Sequence, residues 1–335
     1  MGKKYFKDLT TFRTGGEIKE YKEVSTKEEL VETINSAKNR NLHIFIIGEG
    51  SDLLVSDKEF DGLVIKFVGN KIEIKDEMII SEAGVIWDDL VKVSVENNLQ
   101  GIECLSGIPG TVGAAPIQNI GAYGQEIKNV FVSLTAYDTE SGKFIDFSAD
   151  DCDFSYRQSI FKRRSYWQKY VITQVVLKLV KNGKPEIKYD SLKQYLEEAG
   201  SELPSLQEVR EAVLKIRSTK FENPKEVGNA GSFFMNPIID SDLAKKIIEE
   251  YSDAPLYPLD DGSYKCSAGW LIEKSGWKGR KYKSAGVSKN HALILINPDG
   301  HAQALDIVEM SQEIIKDVNN KFGIKLEPEV QFINF

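Results

Sequence analysis

Residues 228–237 read GNAGSFFMNP and place one hydroxyl, Ser232, directly after Gly231 and before Phe233 and Phe234. Gly228 and Gly231 remove side-chain bulk, so a ligand can approach the backbone closely, while the two phenylalanines keep part of the surroundings dry. A hydroxyl at the edge of a dry cavity is a candidate proton donor; by itself the stretch reads more readily as a tight turn. Two other stretches are also short of side chains. GEGSD (48–52) follows the apolar run HIFII, and GIPGTVG (107–113) lies within 101–124, a segment with six glycines and two prolines that ends in PIQNIGAYG. Such loops can turn backbone N–H groups toward a phosphate. Neither fits GxxxxGK[ST], nor GxGxxG between a strand and a helix, so the common phosphate and dinucleotide motifs do not apply. Two loops of this kind together with PIQNIGAYG point to a large ligand that carries a pyrophosphate.

The elements that must position these residues are of mixed type. Ser25-Thr26-Lys27-Glu28-Glu29 resembles a capping box that opens a helix to about residue 40, with Leu30, Ile34 and Ala37 on one face. HIFIIGEGS reads as a buried strand running into a glycine turn, and LVIKF as another strand of a small α/β unit. Short strands at 71–83 precede a helix near 86–98. VFVSLTAYD and KFIDFS form a hairpin through TESG, and YVITQVVLKLV is a further strand. Residues 205–219 carry Val209, Val213 and Ile216 at helical spacing. From about 220 the chain mixes helices and strands in an α/β pattern, with ALILIN a strand and 303–320 a helix.

Composition narrows the classes. The 335 residues include 43 Lys plus Arg and 51 Asp plus Glu, a formal net charge of −8, with no basic run; general nucleic-acid binding is disfavoured. Cys104, Cys152 and Cys266 are far apart, and His43, His291 and His301 have no ligand spacing, so neither a disulfide framework nor a metal site is expected. No apolar window approaches a membrane span, and a cytoplasmic protein in a reducing compartment is the expectation.

TTFRTGG (10–16), GEGSD, GIPGTVGAAPIQNIGAYG, YRQSIFK (156–162), GNAGSFFMNP and LEPEVQF (326–332) occur in the order that resembles the UDP-N-acetylenolpyruvoylglucosamine reductases, over nearly the whole chain. YRQSIFK and IKYDSL, which holds Tyr189, resemble the form of that family with an extra tyrosine loop. The resemblance implies an α+β protein of three parts: residues 1–68 and 69–219 form a two-part FAD-binding region of the vanillyl-alcohol-oxidase type, and 220–335 an α/β substrate domain. It implies FAD contacts from Gly48, Glu49, Gly50, Ser51 and Asp52, from Ile108, Pro109, Gly110, Thr111, Val112 and Gly113, and from Gln118, Asn119, Ile120, Gly121, Ala122 and Tyr123. Asp52 stands where the family usually has asparagine; a carboxylate only accepts hydrogen bonds, so it suits a hydroxyl or a backbone N–H better than a phosphate. No histidine lies within the glycine loops, so the FAD is expected to be dissociable.

The resemblance also implies the chemistry. NADPH reduces the FAD, and the enolpyruvyl ether of UDP-N-acetylglucosamine then takes a hydride at C3 and a proton at C2, giving UDP-N-acetylmuramate for peptidoglycan. Ser232 matches the proton donor, Arg157 the residue that holds and polarises the carboxylate, and Glu329 a third catalytic position. Standing alone, Arg157 reads as a structural salt bridge and Glu329 as a solvated strand-edge glutamate. Tyr189, Lys220, Asn236, Tyr257, Lys278 and His291 match substrate-binding positions, the two lysines suiting a pyrophosphate. A monomer is expected, with no nucleic-acid or membrane partner. The competing readings are a small-alcohol oxidase of the same fold and a non-catalytic nucleotide-sugar-binding protein.

Overall fold

The computed structural model of the chain describes residues 2–335. The chain divides into two compact units. The larger comprises Ile18–Glu49 and Asp61–Ser218; the smaller comprises the stretch ending at Glu17, with Gly50–Phe60 and Thr219–Phe335.

In the larger unit the strands Glu17–Val24, Phe60–Phe67 and His43–Ile47 lie side by side in that order. The last two are parallel, with His43 opposite Gly62 and Ile47 opposite Lys66. Val64 and Ile65 are fully buried, as expected for β-branched residues of a parallel pair. The helix Lys27–Asn39 is capped by Thr26, whose Oγ1 accepts the Glu29 N–H at 3.1 Å, while the Glu29 carboxylate takes the Ser25 N–H at 2.8 Å. Its buried face is Leu30, Thr33, Ile34 and Ala37. A second sheet of five antiparallel strands runs in the order Lys143–Ser148, Phe131–Asp138, Tyr170–Lys178, Met78–Glu82, Ile72–Lys75. The tight connection of its hairpin uses Gly142, which has φ +69° and donates its N–H to the Asp138 carbonyl. One continuous core joins Leu30, Ile65, Ile79, Trp87, Leu134 and Val175. The helix Trp87–Glu96 and the Leu206–Lys220 helix complete the elements around the glycine-rich segment.

The smaller unit contains a sheet in the order Gly228–Ser232, Ile294–Asn297, Ala285–Val287, Lys281–Tyr282. A three-stranded sheet places Tyr264–Cys266 between Ile238–Ile239 and Leu256–Pro258. The helix Ala304–Phe322 buries Ala304, Ile307, Met310, Ile314 and Val318, a single stripe at helical spacing, and ends at Gly323 with φ +69°. Its first turn lacks a side-chain cap from Gln303; instead the Ala304 N–H donates to Asp57 Oδ2 at 2.7 Å. The final strand, Gln331–Ile333, pairs in parallel with Leu53–Val55, directly after GEGSD. Phe12, Phe233, Phe234 and Trp277 are buried in this unit's core.

Ile314 is fully buried on that helix. Ile314→Ala is expected to lower stability by about 2–5 kcal/mol, the usual cost of removing a large aliphatic side chain from a core. Urea unfolding checks this; an unchanged midpoint would show that the helix does not anchor this unit.

Candidate active site

The glycine-rich segment of the larger unit is held from both sides by its own backbone. The Val112 and Gly113 N–H groups donate to the carbonyls of Val85 and Ala83, at 2.8 and 2.9 Å, and the Trp87 N–H donates to the Gly110 carbonyl at 2.9 Å. A Cβ on Gly113 would lie 2.5 Å from Ala83 Cβ, and one on Gly48 would lie 3.0 Å from Thr111 Oγ1. Close approach therefore requires glycine at 113, and a side chain at 48 would have to displace Thr111. Gly110 adopts φ +123°, a conformation open to glycine.

The next turn places Asn119 and Tyr123 in left-handed conformations, φ +45° and +48°. The buried Asn119 side chain is occupied within the loop: Nδ2 donates to Glu126 Oε2 and the Ser155 carbonyl, and Oδ1 accepts from the Lys128 N–H. Gln118 differs, since its Oε1 is a buried oxygen with no hydrogen-bond partner. An apolar cavity bordered by Gly48, Phe67, Thr111, Gly113, Ala114 and Ile117 opens in the same unit. Glu49 is paired with Lys66 at 2.6 Å, which neutralises its charge. The apolar hollow and the orphaned acceptor oxygen of Gln118 fit a flat aromatic group that carries an N–H or hydroxyl donor.

Gly50, Ser51 and Asp52 fall in the smaller unit. Gly50 has φ +61°, and a Cβ there would stand 2.3 Å from the Leu9 carbonyl oxygen. The Asp52 carbonyl accepts the Gln331 N–H at 2.9 Å. Ile108, Pro109, Ile120, Gly121 and Ala122 lie in the larger unit with the remainder of the loop.

Arg157, also in the larger unit, has φ +55° and donates from Nη2 to the Gly121 carbonyl at 2.7 Å. Its guanidinium carbon stands 5.2 Å from the centre of the Tyr156 ring. The bond to Gly121 anchors it to the expected flavin loop.

Ser232 and Glu329 belong to the smaller unit, where neighbouring backbone brings them together. The strand that ends in Ser232 bulges between Asn229 and Ser232. The Asn229 side chain holds the bulge, accepting the Gly231 N–H at 3.0 Å and donating to the Val227 and Glu222 carbonyls. Gly231 has φ +69°, and nothing lies within 4 Å of where its Cβ would be. The Glu329 N–H donates to the Phe233 carbonyl at 2.8 Å, and Phe234 bridges Pro328. Glu329 is buried rather than solvated, at 8% exposure.

The expected substrate positions divide between the units. Tyr189 precedes the Asp190–Glu198 helix of the larger unit and packs edge-to-face on Tyr123, with ring centres 5.6 Å apart. The other five lie in the smaller unit. Asn236 Oδ1 accepts the Ala268 N–H at 2.9 Å, and half-exposed Tyr257 sits in the Leu256–Pro258 strand. Lys278 is bonded to Glu273 at 3.0 Å. His291 stacks on Phe221, and its Nδ1 accepts the Leu293 N–H at 3.2 Å. Burial, then the positive charges of Lys220 and Lys278, push His291 below its ordinary value, against Glu222 and Glu273. Glu222 itself accepts from Ser288 and Asn290 through Oε1, leaving Oε2 buried without a partner. Neither Phe221 nor Glu222 was legible as a site residue, because their only signal is proximity to Lys220 and the distant His291.

A model of the FAD-binding domain matches residues 19–148, across the glycine-rich segment and its cavity. The fold and the site together define an FAD-dependent oxidoreductase. A second model, the C-terminal domain of UDP-N-acetylenolpyruvoylglucosamine reductase, matches residues 223–333. The reductase of that name from Pseudomonas syringae is 39% identical over 96% of each chain, and that from Flavobacterium johnsoniae is 40% identical over 98% of this chain and 97% of its own. The fold is also that of the Thermus caldophilus enzyme, with a TM-score of 0.70 at 24% identity over 99% and 98% of the two chains. The chain belongs to the UDP-N-acetylenolpyruvoylglucosamine reductase family.

A lowered histidine pKa has a definite consequence for stability. The unfolded chain takes up a proton near pH 6.5, whereas the folded site resists it, so this contribution is full above about pH 6.5 and is lost as the pH falls below it. The melting temperature should therefore drop more between pH 7 and 5.5 in the wild-type protein than in His291→Gln. Parallel pH profiles would remove the half-buried, neutral histidine from the account.

Proposed function

We propose that the protein reduces the enolpyruvyl ether of UDP-N-acetylglucosamine to UDP-N-acetylmuramate for peptidoglycan synthesis, with NADPH as reductant. Family membership over the full length supports the substrate class, and the observation that carries the mechanism is the placement of Ser232. It stands on a bulge beside open space at Gly231, next to the buried Glu329. Bound FAD supplies the hydride that adds to C3 of the enolpyruvyl group.

The residues of the chain handle the charge and the proton. Negative charge develops at C2 and spreads onto the neighbouring carboxylate. The Arg157 guanidinium, planar and permanently charged, grips that carboxylate and stabilises the charge as it forms. Its bond to the Gly121 carbonyl fixes its direction beforehand. Ser232 holds the proton for C2; a carbanionic carbon is basic enough to take it from a hydroxyl, and the hydroxyl can rotate to aim it. Glu329 acts beside Ser232, as part of the same hydrogen-bonded segment. Lys220 and Lys278 provide positive charge for the pyrophosphate, neutral His291 contributes hydrogen bonding, and Asn236, Tyr257 and Tyr189 complete substrate binding. The cytoplasm suits three buried, unpaired cysteines.

Ser232→Ala tests the central role. FAD binding and reduction by NADPH should remain largely intact, while reoxidation by the enolpyruvyl substrate slows roughly 10²–10⁴-fold, the range for losing a positioned general acid. Stopped-flow flavin absorbance separates the half-reactions; equal slowing of both, or of neither, would sink the assignment. Arg157→Lys is expected to be severely impaired in substrate reduction despite the retained charge, since an ammonium cannot reproduce the two parallel N–H groups that match a carboxylate. Near-normal turnover by that variant would take Arg157 out of the mechanism.

A further inference from the structure

Two helices of the larger unit converge on the backbone of Gly107, the first residue of GIPGTVG. Asp88 lies in the first turn of Trp87–Glu96, and its Oδ1 accepts the Gly107 N–H at 2.6 Å. Both Asp88 oxygens accept from Arg210, at 2.7 and 2.8 Å, a fork that fixes the orientation of the carboxylate. Arg217, two turns farther along the Leu206–Lys220 helix, donates from Nε to the Gly107 carbonyl at 3.1 Å. Gly107 has φ +68°, and a Cβ there would stand 2.8 Å from Leu214 Cδ2. The Trp87 N–H holds the Gly110 carbonyl at 2.9 Å, so consecutive residues of one helix anchor both ends of the Gly107–Gly110 turn.

The cost of this arrangement shows in the second helix. Its buried face is Leu206, Val209, Ala212, Val213 and Ile216, and Arg210 sits among them with a side chain only 9% exposed. A buried ion pair is often no more stabilising than apolar residues of similar volume, so packing alone does not account for the guanidinium. Burial pushes Asp88 up, but the Arg210 and Gly107 hydrogen bonds and the charges of Arg210 and Arg217 outweigh it and hold the carboxyl below its ordinary range.

We propose that Asp88, Arg210 and Arg217 are positioning residues for the flavin: they clamp both polar groups of Gly107 and so fix the path of residues 107–113 in the shape that receives FAD. This rests on the reading of that loop as flavin-binding. A purely structural ion pair would stabilise the chain equally with and without FAD. A positioning clamp couples to the cofactor, because whatever distorts the loop weakens the FAD-bound form more than the apoprotein.

The test uses the full-length protein stripped of flavin and reconstituted with FAD. Melting temperature with and without FAD, and Kd from flavin fluorescence, are measured for the wild type, Arg210→Lys, Asp88→Asn, Arg217→Lys and Gly113→Ala. Arg210→Lys and Asp88→Asn should raise the Kd roughly 5- to 30-fold, on the scale of losing one hydrogen-bonded contact, and shrink the rise in melting temperature that FAD produces. Arg217→Lys leaves the ion pair in place and reads the carbonyl half of the clamp even if the other two variants fold poorly. A lower apoprotein melting temperature with wild-type Kd and wild-type FAD shift in all three would overturn the clamp. Gly113→Ala reports on the loop itself: wild-type FAD affinity in that variant would overturn the loop reading and the clamp with it, whereas a loss there alone overturns only the clamp.

Discussion

A glycine-rich loop keeps a single path only if something else fixes it, and here that constraint falls on residues 107–113. The carbonyls of Gly107 and Gly110 and the N–H groups of Gly107, Val112 and Gly113 are all bonded to residues outside the loop. At Gly107 and Gly113 a Cβ would strike a neighbour at 2.8 and 2.5 Å. These glycines let the loop lie directly against its supports.

The same economy appears in the smaller unit. Asn229 carries three hydrogen bonds that shape the bulge before Ser232, and the backbone of 327–329 runs along Phe233–Met235. The serine is therefore placed by backbone pairing on one side and by an amide side chain on the other. Phe233 and Phe234 belong to the core, fully or almost fully buried, so the residues that follow Ser232 are fixed by packing of the unit's interior. Charges are handled in a similar way. Glu49 is neutralised by Lys66 and Lys278 is matched by Glu273, while His291, pressed by burial and two lysines, stays neutral and accepts a backbone N–H. In a chain of net charge −8, these charges are balanced locally, pair by pair.

Much was legible from local pattern. The capping residues at 25–29, the helix at 303–320, the strand at HIFII and the hairpin at 131–148 follow from periodicity and turn residues within short windows, and the local sequence encodes them directly. The glycine loops and the motif carrying Ser232 were legible for the same reason, because a missing side chain and a short motif are properties of neighbouring residues. Tertiary structure alone decided the rest. Residues 50–60 join the unit of the C-terminal strand through the pairing of Leu53–Val55 with Gln331–Ile333, and Asp57 caps a helix that begins at Ala304. Arg210 was not singled out by the sequence, because its partner Asp88 lies 122 positions earlier. Composition and periodicity report which face of an element is buried; they carry no information about which distant group it meets, and that pairing is set only when the chain packs.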